Sequence, residues 1–222
     1  VQYGNGAGNH GVILRSSDGA SWSTVFDSGS QSLYIREITS HEGVLHAFAV
    51  DEDTSQGYRI SSSDGTDWTT TTTPSRIFRG HSFDGYLWLA STDRGSNGAS
   101  GVWRFDGSQM DQVHQASKRY VTEITHFDGA LFAGTSDGWK EDEGTSSLLM
   151  SRDGETWETV CTFPELAAWS IAVNGDHLYV GTWQYTDGGQ LYEVSIVEGP
   201  VGDDDDDDAG GDVDCSLISA AT

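Results

Sequence analysis

Lysine is nearly absent from this 222-residue chain: Lys118 and Lys140 stand against 35 acidic residues, and the net charge is −24. So acidic a surface offers no basic patch, which argues against nucleic acid and anionic membranes as partners. No apolar run is long enough to cross a bilayer as a helix, so no direct membrane insertion is expected in this segment, which itself carries no signal-peptide pattern. Proline occurs three times and cysteine twice. Two cysteines do not make a disulfide framework; Cys161 reads as a small buried apolar residue, and its pairing with Cys215 is left open. Stretches of helical period are missing. So are EF-hand and nonapeptide calcium spacings, serine nucleophile elbows, phosphate loops and dinucleotide fingerprints. The seven histidines share no repeat position and no ligand spacing, although His41 and His46 flank one hairpin. No metal and no cofactor are expected.

What is abundant is glycine, 28 residues, together with 8 Trp, 8 Tyr and 8 Phe, a mix suited to short strands and tight turns. One stretch recurs. Ser16-x-Asp18-Gly19-x-x-Trp22, Ser62-x-Asp64-Gly65-x-x-Trp68 and Ser151-x-Asp153-Gly154-x-x-Trp157 share one spacing, and Asp106-Gly107 is a worn copy. Asp-Gly between apolar runs signals a hairpin, because glycine takes positive φ freely and aspartate bonds the nearby backbone. The tryptophan starts the next strand and is large enough to anchor it.

The motif resembles the Asp-box of sialidases, sortilin-type receptors and other secreted β-propellers, one residue shorter between Asp and Trp than the commonest form. That resemblance implies a propeller fold, with the box as a hairpin staple on the blade periphery, away from any active site.

A second turn signal precedes a recurrent leucine, Leu45, Leu87, Leu131 and Leu178, at intervals of 42, 44 and 47 residues. Strand-rich repeats of that length indicate blades rather than a helical solenoid. Three whole units are expected: Leu33–Ile38 to Trp68–Thr72, Arg76–His81 to Met110–His114, and Tyr120–Thr125 to Trp157–Thr162. Val12–Arg15 and Trp22–Phe26 supply the last two strands of a partial unit. Trp169–Val173, Leu178–Thr182 and Leu191–Ile196 supply three strands of another. The fold class is thus all-β: a propeller of four-stranded antiparallel blades, about four present, either closed by combining the partial ends or, as we favour, part of a larger ring.

Domain boundaries follow composition. Residues 1–200 carry the blades, 201–214 read as an acidic disordered linker, and 215–222 begin an unassigned C-terminal segment. The last eight residues resemble a Cys-Phe-Ile-Ala-Thr-Ala-Ala box found at the C-terminal ends of secreted prokaryotic proteins. That implies an exported or cell-surface protein with further sequence beyond Thr222. The acid-rich, lysine-poor composition is similar to that of extreme halophiles, in which salt screens the repulsion and charge maintains solubility.

Eight residues before each recurrent leucine stand Glu37, Arg79, Glu123 and Ser170. First strands of a propeller converge on its axis, so these positions either form a polar ligand ring or pair with one another. Their neighbours Arg36, Phe78, Thr122 and Trp169 add a stacking surface. The expected role is a non-catalytic module that binds a protein or glycan through loops and channel. The alternative is a glycoside hydrolase of sialidase-like type, which needs two carboxylates or an arginine triad with a Tyr-Glu pair. Ser75-Arg76-Ile77-Phe78 lacks the proline of the sialidase Arg-Ile-Pro signature, and catalytic residues stay unassigned.

Overall fold

A computed structural model of the protein describes residues 10–92, 100–138, 144–185, 188–197 and 212–218. The described residues hold strands and turns and no helix. The chain divides into two compact units, Val1–Val121 and Thr122–Thr222.

The first unit opens with a two-stranded sheet, β1 (Val12–Arg15) and β2 (Ser23–Asp27). Two four-stranded sheets follow. The first holds β3 (Leu33–His41), β4 (Val44–Asp51), β5 (Gly57–Ser62) and β6 (Thr69–Thr73). The next holds β7 (Arg76–Phe83), β8 (Tyr86–Thr92), β9 (Gly101–Phe105) and β10 (Met110–Gln115). All pair antiparallel with their sequence neighbours. Ile13, Leu33, Ile35, Ala47, Ala49 and Ile60 form one apolar core, while Phe48, Ile77, Leu87, Leu89 and Phe105 form another.

The second unit repeats the arrangement. β11 (Tyr120–Phe127), β12 (Ala130–Ser136), β13 (Ser146–Ser151) and β14 (Glu158–Phe163) make one sheet. β15 (Ala167–Asn174), β16 (His177–Trp183), β17 (Leu191–Val197) and β18 (Asp212–Leu217) make the other, and the single pair Ser136↔Ala167 bridges the two. A single core of Phe132, Leu148, Met150, Phe163, Leu178, Val180 and their neighbours serves both. Successive four-stranded antiparallel sheets in chain order are propeller blades, and the fold is an all-β propeller of such blades.

Turn chemistry explains why the strands stop where they do. In the first turn Ser16 Oγ donates to Asp18 Oδ1 at 2.9 Å, and Asp18 Oδ1 accepts the Ala20 and Ser21 amides, each at 2.8 Å. The Gly19 amide donates to Ser16 Oγ at 2.8 Å, and Gly19 sits at φ 73°. Ser62, Asp64 and Gly65 repeat the arrangement, as do Ser151, Asp153 and Gly154. In the worn copy Asp106 still accepts the Ser108 and Gln109 amides, with Gly107 at φ 94°. These amides hold the Asp18, Asp106 and Asp153 carboxyls down to about 2, and Asp64 lower still. The first-to-second strand turns place Glu42-Gly43, Asp84-Gly85 and Asp128-Gly129 entirely at positive φ, which suits the twist of a two-residue hairpin.

Three expectations change at the C-terminal end. The partial last blade is complete, because β18 pairs along β17 from Tyr192↔Leu217 to Val197↔Asp212. Among the described residues β1 and β2 form a two-stranded sheet of their own. Asp212–Asp214 belong to this strand rather than to a disordered linker, and Cys215–Leu217 finish it rather than begin a separate segment. The physical reason is period-two alternation: Val213 and Cys215 pack on the core while the intervening Asp214 faces solvent. The rest of the expected linker, 201–211, lies outside the described residues. Cys161 is not a free apolar residue but forms a disulfide with Cys215, Cα to Cα 6.3 Å.

Candidate functional site

Each first strand was expected to present residues from one register, and a backbone irregularity marks that register. The pairing of β3 with β4 slips between Ile35 and Glu37, that of β7 with β8 between Ile77 and Arg79, and that of β15 with β16 between Ala168 and Ser170. The extra residues are Arg36, Phe78 and Trp169. A bulge leaves one residue unpaired and re-aims its side chain. Thr122 occupies the matching position of β11 and is buried, its hydroxyl donating to the Ala168 carbonyl of the neighbouring strand.

In the first unit the register forms a packed cation cluster. Arg36 lies over the Tyr34 ring at 4.4 Å and over the Phe78 ring at 4.5 Å, and its guanidinium reaches Glu52 at 4.0 Å. Arg79 Nη1 sits 3.6 Å from Glu37 Oε2 and donates to the Phe78 carbonyl at 3.0 Å. Glu37 and Arg79 are thus brought together as an ion pair, the mutual-pairing alternative of the sequence reading. Stacking on two rings fixes the planar Arg36 group, and such cation–π contacts contribute on the order of 1 kcal/mol each.

In the second unit Glu123 is half-buried, and its Oε1 accepts the following Ile124 amide at 3.2 Å. Ser170 is exposed, with its hydroxyl over Gly181, where a β-carbon would lie only 2.6 Å from it. Trp169 is the informative member. Its ring lies 6.4 Å from that of Trp183, and Trp183 lies 6.2 Å from Tyr185, which is 68% exposed. Three rings thus form a row at the bulge and the neighbouring strand end, the first pair tilted at 47° and the second edge-to-face at 83°. Such a row can stack the C–H faces of sugars while hydroxyls find the adjacent polar groups. Trp183 and Tyr185 were missed by sequence reasoning; the available signal was two aromatics at the entry to a long Gly-rich loop.

His41 and His46, which flank the turn between β3 and β4, are withdrawn from solvent. Both are buried, their rings 6.4 Å apart, and His41 Nδ1 lies 2.9 Å from Ser82 Oγ. Burial, aided by Arg59 and His41, depresses His46 to about 4. Among the described residues no group of three or more His, Cys, Asp or Glu converges to hold a metal.

No protein-family model and no curated protein matches the sequence. Solved structures similar to this chain include the GH43 BlXynB protein from Bacillus licheniformis, at 13% identity over 84% of this chain and 48% of that one, with a TM-score of 0.45. The xylan β-1,4-xylosidase from Bacillus halodurans C-125 gives 13% identity, the same coverages and a TM-score of 0.49. The catalytic domain of the GH62 α-L-arabinofuranosidase from Coprinopsis cinerea gives 10%, 84%, 70% and 0.48 in the same order. The chain spans about half the length of the first two.

Proposed function

We propose that this chain is part of a glycan-binding β-propeller of the Asp-box type, exported and adapted to high salt. The observation that carries the reading is the repeated first-strand bulge, which presents Trp169 in a row with Trp183 and Tyr185 and Arg36 between Tyr34 and Phe78. Within each unit taken by itself, ring stacking supplies affinity and the neighbouring polar groups supply orientation, without a step that breaks a bond. The Ser-x-Asp-Gly turns serve as staples: their carboxylates are committed to backbone amides. Export is supported by the disulfide, which persists in oxidising surroundings.

A glycoside hydrolase is the second reading. It is favoured by the repeat position that Glu37 and Glu123 share in the sequence, since hydrolysis of a glycosidic bond ordinarily uses carboxyl groups.

The test is a panel of soluble polysaccharides and aryl glycosides in multimolar salt, followed by tryptophan fluorescence and by product release. Saturable binding that weakens at least tenfold in Trp169→Ala and Tyr185→Ala, without turnover, supports the binding module. Turnover lost in Glu37→Gln or Glu123→Gln would replace it with the hydrolase. Unchanged binding in both aromatic variants would remove the aromatic row from the site.

A further inference from the structure

Basic side chains stand in the first four-stranded sheet where the other sheets hold mostly apolar ones. One residue after the recurrent leucine come His46, Trp88, Phe132 and Tyr179, and four residues before it His41, Phe83, Phe127 and Asn174. Opposite the residue three after that leucine, the next strand carries Arg59, Val102, Leu148 and Leu191 in turn. The rings of His41 and His46 lie 6.4 Å apart at 49°, and those of Phe127 and Phe132 lie 6.4 Å apart at 53°. A phenylalanine pair thus fills the same space, so packing by itself does not call for histidine.

Burial makes the histidines unfavourable as they stand. They are 3% and 4% exposed, and neither His41 Nε2 nor His46 Nδ1 has a hydrogen-bond partner. A buried polar atom without a partner destabilises a fold unless something satisfies it.

Arg59 adds charge at the same place. It lies opposite Phe48, and it shares a sheet face with His46 and His41, because residues opposite one another or two apart along a strand point the same way. Its guanidinium lies 4.4 Å from the centre of the Phe105 ring, and the His46 ring meets that phenyl edge-on at 5.7 Å. His41 Nδ1 lies 2.9 Å from Ser82 Oγ. The charged groups acting on His46 are Arg59 and His41, both basic, and burial alone acts on the half-buried Arg59. In a chain of net charge −24 this is a pocket of positive potential. Two imidazoles fall short of the three protein ligands of a zinc site, and the Arg59 charge opposes any cation.

We propose that this pocket, walled by His41, His46, Arg59, Ser82 and Phe105, binds one small monovalent anion, a halide of the size of chloride. Arg59 supplies the charge, and His41 Nε2–H and His46 Nδ1–H are the donors. In that tautomer of His41 the Ser82 hydroxyl donates to Nδ1. Phe105 covers the site and keeps water away, which strengthens the attraction between the ion and Arg59. Ser82 is exposed, so the His41 end lies one side chain from solvent. A single atom that accepts from any direction and donates nothing suits a site lined by donors and a phenyl ring.

The test holds ionic strength at a molar value with sodium gluconate and exchanges part of it for sodium chloride, so that screening stays constant. Amide protection at β4 and β5 is read in each mixture. Once chloride exceeds its dissociation constant, each further tenfold rise is expected to increase protection tenfold. The protein should also broaden the chloride NMR line. One variant, His41→Phe with His46→Phe, reproduces the Phe127–Phe132 pair. A second, Arg59→Met, keeps an apolar stem over Phe105 and removes the charge. Each is expected to abolish both effects while the circular-dichroism spectrum is retained. Protection that is equal in gluconate and in chloride overturns the inference. So does a chloride dependence that persists in either variant, since the ion then sits elsewhere.

Discussion

Cys161 and Cys215 join the last strands of two consecutive sheets, β14 and β18, by a disulfide between residues 54 apart in sequence. Both half-cystines pack on the core that the two sheets share, with Phe163, Val194 and Val213. The bond thus secures the strand that follows the acidic tract. It also restricts the unfolded chain, because closing a loop of this length removes on the order of 4 kcal/mol of denatured-state entropy at room temperature.

Reduction of this bond, or Cys215→Ser, is expected to release β18 first. Amide exchange at Val213–Leu217 should rise toward that of an unstructured chain, while the strands of the first unit keep their protection. Denaturant melts of the second unit should shift by about 2–4 kcal/mol. Equal exchange at β18 with and without reductant would contradict the role given to the bond.

A buried histidine sets one pH limit. His46 falls from 6.5 to about 4 through desolvation first, then through Arg59 and His41. The unfolded chain takes up its proton near 6.5, whereas the folded chain resists until about 4. Stability from this group is complete above 6.5 and declines as pH falls between those values, by on the order of 1–3 kcal/mol. The groups facing it are His41, Arg59 and the Phe105 edge. An NMR titration of the His46 ring should give a midpoint well below that of a free imidazole, and His46→Phe should flatten this part of the pH–stability profile.

The aspartate turns set a second, lower limit. Asp18, Asp106 and Asp153 are depressed to about 2 by amides they accept, so their contribution is present above the ordinary value near 3.8 and is lost as pH drops toward 2. Gly19→Ala isolates the backbone part of the same turn. Nothing lies within 4 Å of the missing β-carbon, yet φ is 73°, so the cost of about 1 kcal/mol comes from conformation alone. Gly19→Asn should recover most of it in a thermal melt.

Salt dependence follows from net charge. Dilution from molar to millimolar salt removes the screening of −24 charges and should unfold the chain, read as loss of the β signal in circular dichroism. A spectrum unchanged over that range would refute adaptation to high salt.

Local chemistry was legible from residues alone wherever it acts over a few positions. The Ser-x-Asp-Gly turns, the leucine register and the four-strand unit all depend on hydrogen bonds within a turn or on side-chain period, and both are written in neighbouring residues. The bulge position was marked too, since counting back from Leu45, Leu87 and Leu178 lands beside Arg36, Phe78 and Trp169. Partners distant in sequence were not legible. Asp212–Leu217 looked like tail because six aspartates precede it, and only backbone pairing with β17 makes it a strand. Glu37 against Arg79, and Trp169 against Trp183 and Tyr185, likewise depend on which strands lie side by side. The exposure of Leu14 is the sharpest case. The three full copies of the turn carry a leucine or isoleucine there, Leu14, Ile60 and Leu149, and whether it meets protein or water is decided by what packs beside it.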